Sequence, residues 1–307
     1  MAIRYQLNQK YLVADNVFPN LPVMRRADRY YVYQKGDWAR VDAQARAPAT
    51  ESVGGGWSLD NTPTYYCEKY AIHKDIDDDI RANADEMIAA NFDKDATQYV
   101  TQQLLRKREQ AFVQAFFTKT SGWDTTLDGT TDHDFVPFDD VTVDPVITVK
   151  NQMLNVLKLT GYMPNIMVVG PEVHQVLENH SKILDRIKYT QRGIVTEDIL
   201  AAVFGVEKYL VPRVSVNTAA KGQTDSMSLV YGKNVLLAFA NPSPSIEQPS
   251  AGYTFSWKGY FGASGAGLRI KQFRIEPREV DRIEGEMAFD MKMTASDLGC
   301  FMGEAVA

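Results

Sequence analysis

Hydrophobic and polar positions change period several times along the chain, and each change marks a predicted element. Residues 1–27 show no clear period, and Pro19 and Pro22 interrupt any helix there. This stretch reads as an extended arm whose apolar residues, among them Tyr11, Leu12, Val13, Val17 and Phe18, need a partner surface. From Arg29 to Lys74 the pattern predicts a long β-hairpin. Tyr30, Tyr31, Val32, Tyr33, Trp38 and Val41 are strand formers, broken at Lys35-Gly36-Asp37. The return strand alternates Tyr66, Glu68, Tyr70 and Ile72 with Tyr65, Cys67, Lys69 and Ala71. Between the two lies a flexible tip carrying Gly54-Gly55-Gly56 and Trp57. A lone two-stranded ribbon is marginal in water, so it must pack on something else.

The period then shifts to 3.6. A helix is predicted over about Asn91 to Phe117, with Asp93 or Asp95 at its amino end. Ala96, Val100, Leu104, Ala111 and Ala115 line one side, beside Leu105, Phe112 and Phe116. At 1.5 Å per residue it is roughly 40 Å long, enough to cross a domain. Residues 120–140, with Gly122 and Gly129, form a loop or short hairpin. From Asp144 the character is α/β. Asp144 caps and Pro145 opens a helix that Gly161 ends, with Val146, Val149, Met153, Val156 and Leu157 inward. Ile166 to Val169 is a short buried strand that turns at Gly170-Pro171 into another helix. A further helix starts at Thr196 and stops at Gly205, and strands follow at Lys208–Val211 and Ser228–Ala240. The Pro-rich stretch Pro242 to Pro249 closes this insert, and late strands are expected at Tyr253–Phe261, Leu268–Ile275 and near Glu286–Thr294. These can complete a sheet under the long helix, so the insert leaves and rejoins one scaffold.

Composition narrows the class. Of 307 residues, 45% are hydrophobic and 23% charged, as in an ordinary globular protein. A chain this long buries roughly 75% of its unfolded surface without staples. No long linker divides it, so one large or two interleaved domains are expected. Residues 1–16 lack the basic-then-apolar pattern of a signal peptide, and no apolar run reaches about 18 residues. Net charge is −6, whereas gripping phosphates calls for a basic excess. Cys67 and Cys300 lie far apart and read as buried free thiols.

Candidate chemistry is sparse. Asp75-Asp77-Asp79 with Glu86 imitates a calcium loop, but Ile80 stands where that loop needs glycine; a solvated acidic turn is the reading. His174 and His180, six apart, cannot share a helix face, and a surface or capping role is expected for both. Gly262 to Gly267 matches neither a phosphate loop nor a nucleophile elbow and reads as a tight turn between strands. Arg106, Lys107 and Arg108 read as a solvated helix face or as partners for a neighbour's acidic residues. Trp38 and Trp57, on a ribbon with little core to offer, read as interface anchors. No nucleophile, base and oxyanion site converge, and no catalytic residue, metal or cofactor is expected.

One resemblance is specific in order and spacing. Residues 165–214 carry His180, Lys182, Ile183, Asp185 and Ile187, then Gly193, Val195 and Thr196, then Phe204-Gly205-Val206. A second phrase spans Arg81 to Glu109: "R-A-N-A-D", then "D-x-D-A-T", then "L-L-x-R-x-E". Together they resemble the major capsid proteins of tailed bacteriophages. The resemblance implies the α+β Hong Kong ninety-seven phage capsid fold. Its expected parts are an N-terminal arm at 1–28 and an extended loop at 29–74. A peripheral domain takes in 75–140 and 253–307, with its spine helix at about 91–117, and an axial domain occupies 141–252. It also implies pentamers and hexamers of an icosahedral shell around double-stranded DNA, bound without sequence specificity. Some relatives carry a scaffolding segment before the arm, but Met1 leads almost directly into the arm here. Either a separate scaffolding protein assists or the chain is already trimmed, and an initiator Met favours the first. A portal and a decoration protein are further expected partners. The expected place is the virion, after assembly in the host bacterial cytoplasm, with no membrane partner. Tyr11, Val17, Phe18, Trp38, Trp57, Arg106 and Arg108 are the expected contacts between subunits. The rival readings are an encapsulin-type nanocompartment shell and, from another class, a cytosolic α/β enzyme or binding protein.

Overall fold

The computed structural model describes residues 8–85, 91–188, 195–245, 248–260 and 262–307. Glu86, Gly193 and Phe261, invoked above, lie outside them, as do residues 1–7 of the arm. The arm contributes a one-turn helix α1 (Ala14–Val17) and strand β1 (Asn20–Val23). The ribbon follows, with β2 (Ala27–Arg29), β3 (Val32–Tyr33), a short helix α2 (Lys35–Ala39), β4 (Leu59–Asp60) and β5 (Thr64–Tyr66). Next come β6 (Glu68–Asp77), α3 (Asp78–Ala82) and the spine helix α4 (Phe92–Phe116). After β7 (Thr125–Asp128), the α/β part holds α5 (Pro145–Thr160), β8 (Ile166–Val169), α6 (Pro171–Asn179), α7 (Ser181–Ile187), α8 (Glu197–Phe204) and β9 (Lys208–Leu210). The chain continues through β10 (Ser215–Asn217), β11 (Met227–Leu229), β12 (Val235–Ala238), β13 (Gly252–Trp257), β14 (Leu268–Ile275), β15 (Val280–Met293) and β16 (Gly299–Gly303).

Two sheets organise these elements. In the first, β15 pairs antiparallel with β6, β13 and β14, and β1 lies parallel to β13. The spine helix packs across its face, and Gly285 makes that close approach feasible. A β-carbon there would sit 2.2 Å from a Val100 methyl. Gly285→Ala is therefore expected to destabilise the subunit by about 1–3 kcal/mol, seen as a lower urea midpoint with unchanged slope.

The second sheet runs β7-β16-β12-β8-β9. The C-terminal strand β16 and β7 thus join the α/β sheet, whereas the sequence places 75–140 and 253–307 together around the spine helix. Period 2 explains why β8 and β12 are apolar at every position. Ile166, Val168, Leu236 and Ala238 face the core that includes the spine helix; Met167, Val169, Val235 and Leu237 face a second core under α5, α6 and α8. Local signals place the α/β helices well. The Asp144 carboxylate accepts from the Val146 amide at 3.0 Å, and Gly161 and Gly205 end their helices in the left-handed conformation.

The ribbon departs from expectation. Its paired part is two short ladders, β2 with β5 and β3 with β4, and α2 replaces the strand expected through Trp38. The Asp37 carboxylate accepts from the Ser58 amide and hydroxyl, an alternative to ladder pairing.

Candidate assembly surfaces

The ribbon's base is fastened to its own subunit. Tyr65 stacks on Phe255 with ring centroids 4.5 Å apart, the Asp290 carboxylate accepts from the Tyr66 amide at 2.8 Å, and the Arg26 guanidinium lies over the Tyr66 ring at 4.7 Å. Burial there pushes the Cys67 thiol up to about 12, so it stays protonated and unreactive. An ion pair between Lys35 and Asp297 adds one further tie. Beyond it the contacts stop. Every residue from 38 to 59 is exposed. Within this stretch Trp38 and Trp57, 65% and 66% exposed, come together with centroids 6.0 Å apart, and Tyr33 meets Trp38 edge-on at 5.9 Å. Two indoles touching each other and little else form an apolar knob in water.

The other predicted contacts divide. Val17 and Phe18 are fully buried in their own subunit, which corrects their assignment to a neighbour. Phe18 packs edge-on to Phe112 at 5.3 Å and against Phe116 at 4.7 Å. The one-turn helix turns both side chains inward, a conversion of extended chain that no periodicity announces. Arg108 is also buried and paired with Asp15 at 2.5 Å, so it too faces its own arm and not a neighbour. Arg106 is half-buried on the spine helix. Tyr11 is half-buried, with the Arg213 guanidinium 4.8 Å above its ring. Of the seven residues, the structure brings together Trp38 and Trp57, and exposes both.

A second apolar surface was not anticipated. Ile147, Leu154 and Leu159 on α5, with Tyr162 and Met163 beyond it, are exposed on the α/β part. The signal was present: α5 carries apolar residues on both faces, more than one core requires.

The candidate ligand motifs dissolve into structural roles. Arg282 clamps Asp75 with two hydrogen bonds of 2.7 and 2.8 Å, Arg274 pairs with Asp78, and Asp77 caps α3. His180 caps α7, as a capping role predicts, but His174 is buried, with Nδ1 3.1 Å from the Tyr209 hydroxyl and Nε2 3.0 Å from Glu178. Against the cost of burial, hydrogen bonds from Lys271 and Lys69 hold the Glu286 carboxyl at about 2. Gly262 to Gly267 forms the turn between β13 and β14, with the Ser264 amide donating to the Leu268 carbonyl. Among the described residues no group of three or more His, Cys, Asp or Glu is placed to hold a metal ion, and no helix is long and apolar enough to cross a membrane.

This architecture is the phage capsid fold. A phage-related protein from Bordetella bronchiseptica superposes with a TM-score of 0.73 at 18% identity, covering 97% of this chain and 93% of that one. The capsid of cyanophage P-SCSP1u gives 0.61 at 11% identity, over 99% and 90%. The holo-SrpI encapsulin complex of Synechococcus elongatus gives 0.55 at 10% identity, over 99% and 91%, so the fold spans both kinds of shell. In sequence, the chain's curated homologues are phage major capsid proteins. That of Pseudomonas phage JBD67 is 24% identical over the whole chain and 95% of its own length. That of Burkholderia phage BcepMu is 27% identical over 51% of this chain, a match spanning just under half, 48%, of the relative. No family model matches the chain.

Proposed function

We propose that this protein is a structural shell subunit that self-assembles into pentamers and hexamers of an icosahedral phage head. It encloses double-stranded DNA without reading sequence, works without catalysis or cofactor, and resides in the virion after assembly in the host cytoplasm. The observation that carries this reading is the uncovered stretch from 38 to 59 with its tryptophan knob, on a chain of phage capsid fold. Twenty-odd ordered residues with nothing buried do not offset their entropy alone; burial against a second copy does. The acidic balance, −6 over the chain, suits a container that must not adhere to its contents. The arm at 1–28, loop at 29–74 and peripheral and axial domains are this proposal's working division. A separate scaffolding protein, a portal and a decoration protein are its proposed partners.

The test is electron microscopy of the expressed protein, with and without a co-expressed scaffold. Rings, sheets or closed shells are expected. A monodisperse monomer under every condition overturns the proposal. The encapsulin reading shares the particles and differs in content, a cargo enzyme in place of packaged DNA.

A further inference from the structure

The two exposed apolar surfaces of this chain differ in charge, and the difference says how they pair. The inward face of α5, with Val146, Val149, Met153 and Val156, is already filled by the core. On the outward face Ile147 and Leu154, seven residues apart, stand in line and are both exposed. Lys150, Asn151 and Lys158 share that face at the i+3, i+4 and i+11 positions and are exposed as well. The helix carries no acidic residue, so its net charge is +2. This surface is aliphatic with a positive border. The knob is aromatic with a negative root. Asp37 precedes Trp38, and its carboxylate accepts from Ser58, the residue after Trp57, so one carboxylate ties the bases of both indoles. Those hydrogen bonds hold the carboxyl below its ordinary value, so it stays ionised. With Lys35 taken up by Asp297, residues 36–60 set Asp37, Asp42, Glu51 and Asp60 against Arg40 and Arg46, a net charge of −2.

We propose that the Trp38–Trp57 knob of one copy docks on the Ile147–Leu154 face of α5 in the next copy, with Lys150 and Lys158 against the indoles and Asp37. The inference rests on the shell reading above and names the surface that completes the ribbon. Within one subunit neither surface covers the other, since both stand in water there. Pairing like with like fails on charge. Knob on knob brings two Asp37 carboxylates together, and α5 on α5 brings four lysines together. Knob on helix opposes the charges, and an ammonium group over an indole face is attracted by the ring, more strongly once water is excluded. Ile147 and Leu154 supply the apolar area that the rings cover. Knob and helix are different patches of one chain, so the contact runs head to tail. Repeated with a closing rotation it makes a ring.

The test uses full-length subunits that each carry one new cysteine. Gly56, beside Trp57, has open space where a β-carbon would stand, and Asn151 is exposed on the α5 face. The natural thiols of Cys67 and Cys300 are buried and out of reach. Gly56→Cys and Asn151→Cys subunits are mixed, assembled and treated with a short bis-maleimide. A covalent dimer is expected from the mixture and from neither variant alone. Dimers from Gly56→Cys alone would show knob meeting knob, dimers from Asn151→Cys alone would show helix meeting helix, and either result without the mixed product overturns the proposal. A second variant, Leu154→Glu, sets a carboxylate under the knob and opposite Asp37. It should raise the concentration needed for particles at least about tenfold with the urea midpoint of the subunit unchanged. Assembly of Leu154→Glu at the wild-type concentration also overturns the docking, while particles of the wild-type protein leave the shell reading standing. Wild-type subunits that form no particles under any condition take down both.

Discussion

Replacing Phe18 with alanine is expected to cost the isolated subunit about 3–5 kcal/mol. The ring is fully buried and closes a cluster of aromatic contacts with Phe112, Phe116 and Trp123. It also lies against Gly252, where a β-carbon would come within 2.5 Å of the ring, so the site has little freedom to collapse around a missing side chain. A domain of ordinary stability, about 5–15 kcal/mol, loses a large share of it. The measurement is chemical unfolding of dispersed subunits. A loss below about 1 kcal/mol would return Phe18 to the role of contact between subunits.

The complementary experiment is the double substitution Trp38→Ala and Trp57→Ala. Both indoles are exposed, so folding of the subunit should move by less than about 0.5 kcal/mol, as for other surface changes. Assembly should suffer heavily. Covering each indole against a neighbour is worth about 2 kcal/mol or more, so removing both raises the protein concentration needed for particles by roughly 1,000-fold. Repetition of one contact around a closed shell amplifies the effect further. Light scattering against concentration reads this directly. Normal assembly by the double variant would remove the knob from the account, and a collapse of subunit stability would show the indoles are core.

These two variants also separate what the amino-acid pattern discloses from what it hides. Elements set by local chemistry were legible. Asp144-Pro145 and Gly161 bound α5 because a cap, a fixed φ and a left-handed stop act within a few residues. The spine helix was legible from its apolar stripe, although the buried face also takes in Glu109 and Arg108, the latter read from the pattern as solvated or as a neighbour's partner. What those two residues do depends on a partner some 95 positions away, the arm, and no window of sequence holds both. The same holds for β16, whose five buried residues name no particular sheet, and for α2, where Lys35-Gly36-Asp37 interrupts strand formers and the chain turns helical. In the candidate site, the tryptophans were legible because large apolar residues on a two-stranded ribbon have no core to enter. The arm's Val17 and Phe18 carry an identical signal at the level of residue type. The structure separates the two cases by supplying a groove for one and water for the other.

The central claim is that the ribbon beyond Tyr33 is completed by a second copy. Hydrogen exchange of residues 34–60, compared between dispersed subunits and purified assemblies, tests it most directly. Strong protection confined to that stretch and to the exposed face of α5 on assembly is the predicted result, with β15 unchanged. Ribbon amides exchanging at the same rate in both states would contradict it.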